Sequence, residues 1–124
     1  MRRLVFGLAL TSAALPAIAQ TAMTADDAIA AAKNQLGVLE YCQTAGHIDD
    51  TAVATQLRIL EMMPAPEDEA RIEAAYDAGK AGTVSALGVE QTLEAAATAQ
   101  NSDEATLCTQ MATLLEQAAS QLPQ

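Results

Sequence analysis

The sequence predicts an all-α fold, a small up-and-down bundle of four to five helices stapled by one disulfide. Three observations lead there. Ala, Leu, Glu, Gln and Met dominate, and all favour helix. Aromatic residues are only 2% of the 124 positions, so the chain is poor in the side chains that strands prefer. Apolar residues recur at spacings of three and four, with no competing alternation.

The first element is a leader. Arg2 and Arg3 form a positive n-region, Leu4 to Leu15 an apolar stretch, and Pro16 followed by Ala17-Ile18-Ala19 a small-x-small cleavage pattern. Residues 1–19 therefore read as a secretory signal peptide, and 20–124 as a single helical domain. The apolar stretch is too short to span a bilayer as one helix.

Thr24 and Asp27 form a capping-box start for a first helix over about 25–45, with Ile29, Ala32, Leu36 and Leu39 on its apolar face and Gly46 as its stop. Asp49 or Asp50 caps a second helix over about 50–63, whose stripe is Val53, Leu57, Leu60 and Met63. Pro64-Ala65-Pro66 breaks it. Pro66 suits the first position of a third helix, with Glu67, Asp68 and Glu69 complementing its positive end. Ile72, Ala75, Tyr76, Gly79, Thr83, Ala86 and Leu87 continue one face, weakened by Gly79, Gly82 and Gly88, where the helix bends or breaks. The helical pattern resumes from Val89 to Gln100 through Val89, Leu93 and Ala96 or Ala97. A last helix over about 103–121 carries Leu107, Met111, Leu114, Leu115, Ala118 and Leu122.

Cys42 and Cys108 fall near the end of the first helix and the start of the last. In an exported chain two such cysteines pair, and antiparallel neighbouring helices would bring them together. CxxC spacing, the mark of a redox or metal pair, is absent. His47 beside Asp49 and Asp50 has the residue types of a metal site, but without further ligands at supporting spacing it reads as a loop histidine before a cap. Met62, Met63 and Met111 read as core filler rather than haem ligands. Ser85, Ser102 and Ser120 fall in ordinary helical contexts without a nucleophile signature. The stripe Ala78-x-x-x-Gly82-x-x-x-Ala86 reads as a close-packed helix seam. The sequence thus assigns no enzyme activity, no cofactor and no metal, and gives Cys42 and Cys108 a structural role.

Without Arg2 and Arg3, four basic residues face sixteen acidic ones, a net charge of −12. Such a surface repels polyanions, which excludes nucleic acid as a partner, and steers a basic protein partner. In its organisation, an exported helical chain near 100 residues with widely spaced Cys42 and Cys108, the protein resembles the HdeA-type acid chaperones of the bacterial periplasm. That resemblance implies a periplasmic protein that opens as its carboxylates protonate below about pH 4 and then binds clients through apolar faces. The Ala-rich helices and the Gly/Ala-rich centre around Ala86-Leu87-Gly88 also resemble small secreted pore-forming proteins of the early-secreted-antigen type. That resemblance implies membrane contact, favoured at low pH where repulsion from anionic lipid is lost.

Overall fold

A computed structural model describes residues 22–86 and 88–123. The leader expected over residues 1–19, and Leu87 on the third helical face, lie outside the described residues. Five helices and one hairpin follow in order: α1 (Ala25–Thr44), α2 (Thr51–Glu61), α3 (Glu69–Lys80), β1 (Thr83–Ala86), β2 (Val89–Thr92), α4 (Leu93–Ala99) and α5 (Glu104–Ala119). The all-α disulfide-stapled fold is as expected, and the small hairpin is an addition to it.

Helix α1 starts at the expected capping box. The Thr24 hydroxyl accepts from the Asp27 amide at 3.1 Å, and the Asp27 carboxylate accepts from the Thr24 amide at 2.9 Å. It ends as Gly46 turns into the left-handed region at φ 81°. The helix packs against α2, α3, β1 and α5 and forms the axis of the molecule. Its contacts set the directions of the others. Ala32 meets Gln56, so α2 runs back along α1, and Asp27 meets Arg71 while Asn34 meets Ala75, so α3 runs parallel to it.

The α1–α3 crossing is a backbone-to-backbone contact. A Cβ on Gly79 would stand 2.2 Å from the Asn34 carbonyl oxygen, and one on Gly37 would stand 2.4 Å from the Tyr76 carbonyl oxygen. Glycine is required at both positions because neither helix axis can approach this closely with a side chain between them. Next to the crossing, Asn34 is buried and its amide is fully bonded. Its Nδ2 donates to the carbonyls of Ala75 at 2.9 Å and Thr83 at 3.0 Å, and its Oδ1 accepts from the Ser85 amide at 2.9 Å. One side chain therefore joins α1, α3 and β1.

Several expectations need correction. The segment after Gly79 does not continue as helix: α3 stops at Lys80 and the chain forms an antiparallel hairpin pairing Thr83 with Thr92 and Ala86 with Val89. Gly82 at φ 87° and Gly88 at φ 79° exclude a helix, and the Ser85 amide bonds to Asn34 instead of a helical carbonyl. The Ala78–Gly82–Ala86 stripe is consequently no helix seam. On α2 the buried face is Ala52, Thr55 and Gln56, whereas Leu57 is exposed, Val53 and Leu60 are half-buried, and Met63 falls beyond the helix end. Small and amide-bearing residues fit against α1, and Gln56 Nε2 donates to the Ala32 carbonyl at 2.8 Å. Finally, α3 begins at Glu69 behind Asp68, whose side chain accepts from the Arg71 amide, rather than at Pro66. On α5, Leu114 is exposed although its spacing placed it in the stripe.

Two apolar clusters fill the interior. One gathers Val38, Cys42, Leu93, Ala97, Leu107 and Cys108, with Tyr41 and Met111 against it. The other holds Leu39, Ala52 and Leu115. Cys42 and Cys108 form the predicted disulfide, with Cα atoms 5.7 Å apart, at the centre of the first cluster. Helices α1 and α5 run antiparallel there, since Cys42 meets Cys108 while Leu39 meets Leu115.

Two predictions follow from this packing. Gly79→Ala must part α1 from α3 and is expected to cost about 3 kcal/mol. Gly46→Ala has open space around it and loses only about 1 kcal/mol to left-handed strain. Urea unfolding of both variants measures the difference, and equal losses would refute the close crossing. Replacing Cys42 and Cys108 together by Ala is expected to lower stability by about 4 kcal/mol for the loop they close, with the helical spectrum retained if enough stability remains. Thermal unfolding with and without reductant checks it.

Candidate functional site

Two features outside the apolar core gather polar chemistry: a set of carboxylate ties along α1 and a groove between α2 and α5. The ties begin at the first turn of α1. The Asp26 carboxylate accepts from the amides of Glu67 at 3.0 Å and Asp68 at 2.9 Å, which holds the segment leading into α3. Asp27 pairs with Arg71 of α3. The Arg71 guanidinium, followed by the Thr24 amide, holds the Asp27 carboxyl down at about 2.

Further along α1, Glu40 accepts a hydrogen bond from the Tyr76 hydroxyl, and the Tyr41 hydroxyl donates to Glu104 of α5 at 3.0 Å. The Tyr76 ring also lies under two cations, with Lys80 Nζ at 4.5 Å and Lys33 Nζ at 5.6 Å from its centroid. Bonding to Glu40, with some burial, pushes the Tyr76 phenol up to about 12, and bonding to Glu104 raises that of Tyr41. At the start of α5, the Thr106 amide lowers the Asp103 carboxyl, with a smaller contribution from the nearby His47.

The groove has a volume of about 330 Å³ and is open to solvent. The predicted candidate His47 lies on it, half-buried, together with Asp49. Asp50 stands at the α2 N-cap without a side-chain bond, while Asp49 accepts from the Thr51 amide at 2.9 Å. None of Met62, Met63 and Met111 reaches the groove; Met62 is exposed and Met111 packs on the core. Among the described residues no group of three or more His, Cys, Asp or Glu side chains is arranged to hold a metal. The serines are scattered: Ser85 lies in β1, Ser102 before α5 and Ser120 at its end, so Ser85 and Ser102 are not helical as expected.

Sequence reasoning missed Asn34, Gln56 and Thr55. For Asn34 a signal was present, since Asn and Gly at 34 and 37 interrupt an otherwise strong helix former at its centre. For Gln56 and Thr55 there was none, because an apolar stripe on the same helix pointed to the other face.

Comparison with protein-family models, curated proteins and solved structures finds no match. The buried disulfide is compatible with an oxidising compartment. No helix among the described residues is long and apolar enough to cross a membrane.

The tyrosine environment makes a prediction. A phenol whose folded pKa is raised stabilises the fold fully below its ordinary 10, and that contribution is lost as pH rises, through about 12 for Tyr76. Tyrosinate absorbance of the native protein is therefore expected to rise only above 10, and Glu40→Gln to bring one of the two transitions back towards it. Native titration of both tyrosines at 10 would refute the arrangement.

Proposed function

We propose that this chain is an exported, non-enzymatic helical protein that binds a protein partner or client in the periplasm, and that acid opens its binding surface. The supporting observation is the chemistry of the ties. Of the side-chain bonds joining distant parts of the chain, those of Asp26, Asp27, Glu40 and Glu104 all rest on carboxylates. Those of Asn34 and Gln56 rest on amides, which do not titrate.

Acid acts on the Asp27–Arg71 tie and spares the amide set. The Asp27 contribution is complete above the ordinary 3.8 and is lost as pH falls through about 2. The charged groups at that end of α1 are Asp26, Asp27, Glu67, Asp68 and Arg71. Protonation of Asp27 leaves the Arg71 guanidinium without the carboxylate it pairs with. The buried Ile29 and Ile72 sit within a turn of these ties and become the first apolar surface to be uncovered. Self-repulsion is not the driver, because neutralising sixteen carboxylates reduces the net charge before reversing it. The Gly37–Gly79 crossing, the Asn34 amide and the disulfide limit the opening, so helix is retained.

The test is a pH series from 7 to about 1.5 on the oxidised protein, following circular dichroism and binding of an apolar-surface dye. Retained helix with dye binding that rises between about pH 4 and 2, and suppressed aggregation of an acid-denatured client over the same range, are expected. Asp27→Asn is expected to weaken the protein at neutral pH and to flatten the acid response. A compact, dye-silent protein at about pH 1.5 would overturn the reading. Dye release from anionic vesicles under the same conditions separates membrane insertion from client binding.

A further inference from the structure

One edge of the hairpin is closed and the other is open. The register pairs Thr83 with Thr92, Val84 with Gln91, Ser85 with Glu90 and Ala86 with Val89, and one step further the Leu93 amide donates to the Gly82 carbonyl at 2.8 Å. Bonded and unbonded pairs alternate along an antiparallel ladder, so Val84–Gln91 and Ala86–Val89 are bonded pairs like Gly82–Leu93. The backbone groups of the residues between them point away from the partner strand. On β1 these are Thr83 and Ser85, and Asn34 closes them: it donates to the Thr83 carbonyl at 3.0 Å and accepts from the Ser85 amide at 2.9 Å. Its carboxamide stands where the peptide group of a neighbouring strand would stand. On β2 the outward groups are the amide and carbonyl of Glu90 and the amide of Thr92, whose own carbonyl opens α4. Among the described residues no partner meets these three groups, and β2 is exposed along its length in a sheet of two strands.

A row of outward amides and carbonyls is a template for one more strand. We propose that the outer edge of β2 binds an extended, basic peptide segment of a partner as a third, antiparallel strand. The segment's residue opposite Glu90 exchanges both main-chain hydrogen bonds with it, and the carbonyl two residues earlier accepts from the Thr92 amide. The side chains set the residue types. Glu90 and Glu94 are the only charged residues between Ala81 and Ser102, so a Lys or Arg opposite Glu90 is favoured. Paired residues share a sheet face, so Val89 lies on the face of Val84, which packs on the core, and yet Val89 is 67% exposed. An apolar residue directly after the cation stands opposite Val89 and covers it. A second copy of this chain fits the edge less well. Two β2 edges paired antiparallel set Glu90 against Glu90, or Glu90 against Thr92, and the second register needs the Thr92 carbonyl that α4 already uses. The acidic surfaces of two copies also repel. The inference rests on the partner-binding half of the reading above, whose partner it specifies, and needs no acid opening.

The experiment is an amide NMR titration at neutral pH, where the carboxylate ties are intact, with the peptide Ac-Thr-Thr-Lys-Val-Thr-amide. Before peptide is added, the Glu90 and Thr92 amides are expected to exchange with solvent faster than the Gln91 amide, which bonds to β1. Peptide is expected to shift resonances centred on Val89–Thr92 and to slow exchange at Glu90 and Thr92. Methylating the main-chain nitrogen of the peptide lysine removes the donor to the Glu90 carbonyl and is expected to weaken binding about tenfold. Glu90→Gln keeps the backbone and loses the charge, for an expected loss of about threefold. Glu90→Pro removes the outward amide but no hairpin bond, and is expected to weaken binding about tenfold with the Asn34 side-chain amide resonances unmoved. Should those resonances move, the methylated peptide carries the test without any change to the protein. No binding up to about 5 mM peptide, shifts scattered over the acidic surface, equal binding of the methylated peptide, or protection of Glu90 and Thr92 in the free protein would overturn the proposal. Slowing of those two amides with protein concentration alone would assign the edge to a second copy and overturn it as well. Failure here is distinct from failure of the acid series, which uncovers Ile29 and Ile72 instead.

Discussion

The contact between Gly37 and Gly79 fixes the spacing on which the other elements rely. With no side chain between them, α1 and α3 approach until backbone meets backbone. Only at that separation can one asparagine side chain on α1 reach the Ala75 carbonyl on α3 and the Thr83 and Ser85 backbone groups of β1 together. The buried amide then satisfies groups that would otherwise stand unpaired in a dry seam, where each such loss costs about 1–3 kcal/mol. The hairpin has little apolar surface of its own, since β2 is exposed along its length, and a two-stranded hairpin is marginal alone. It is held by Asn34, by the Leu93 amide bonding to the Gly82 carbonyl at 2.8 Å, and by Gly82 lying against the Tyr41 ring.

Much of the architecture was legible because it rests on local rules. The Thr24–Asp27 box, the Gly46 stop, the helical face of Ile72, Ala75 and Gly79, and the pairing of Cys42 with Cys108 all follow from spacing and cap chemistry. The hairpin was hidden because its strands are only four residues each: the alternation of β1 is too short to stand out, β2 has no buried face, and the bond that anchors β1 comes from a side chain 51 residues away. The face of α2 was misread for a related reason. Periodicity finds the greasier side of a helix, whereas the surface offered by α1 has room for Ala52, Thr55 and Gln56 and an unshared carbonyl lone pair to bond. Of the candidate site, the composition made the excess of acid plain and gave no sign of which carboxylates bridge elements.

The distribution of cations explains how so acidic a chain stays folded at neutral pH. Four basic residues lie beyond residues 1–19, and three of them serve the α1–α3 seam. Arg71 neutralises Asp27, while Lys33 and Lys80 stand over the Tyr76 ring whose hydroxyl is tied to Glu40. Positive charge is thus concentrated where two parallel helices, whose dipoles repel side by side, come closest. The α2–α5 face keeps its acids without such compensation among its lining residues apart from His47. One molecule therefore carries a charge-matched seam and an unmatched groove.

The disulfide also sets how the molecule transmits force. It joins α1 near its end to α5 near its start, so α2, α3, the hairpin and α4 all lie within a closed covalent ring. Tension applied between the two ends of the chain runs through the sulfur bridge and bypasses that ring. Only the segment before Cys42 and the segment after Cys108 can be drawn out. The Ala75, Thr83 and Ser85 partners of Asn34 all sit inside the ring, whereas Asn34 itself lies on the extensible arm. Pulling would therefore peel the central helix away from a loop that remains closed, and releasing the load would return it to partners still held close together.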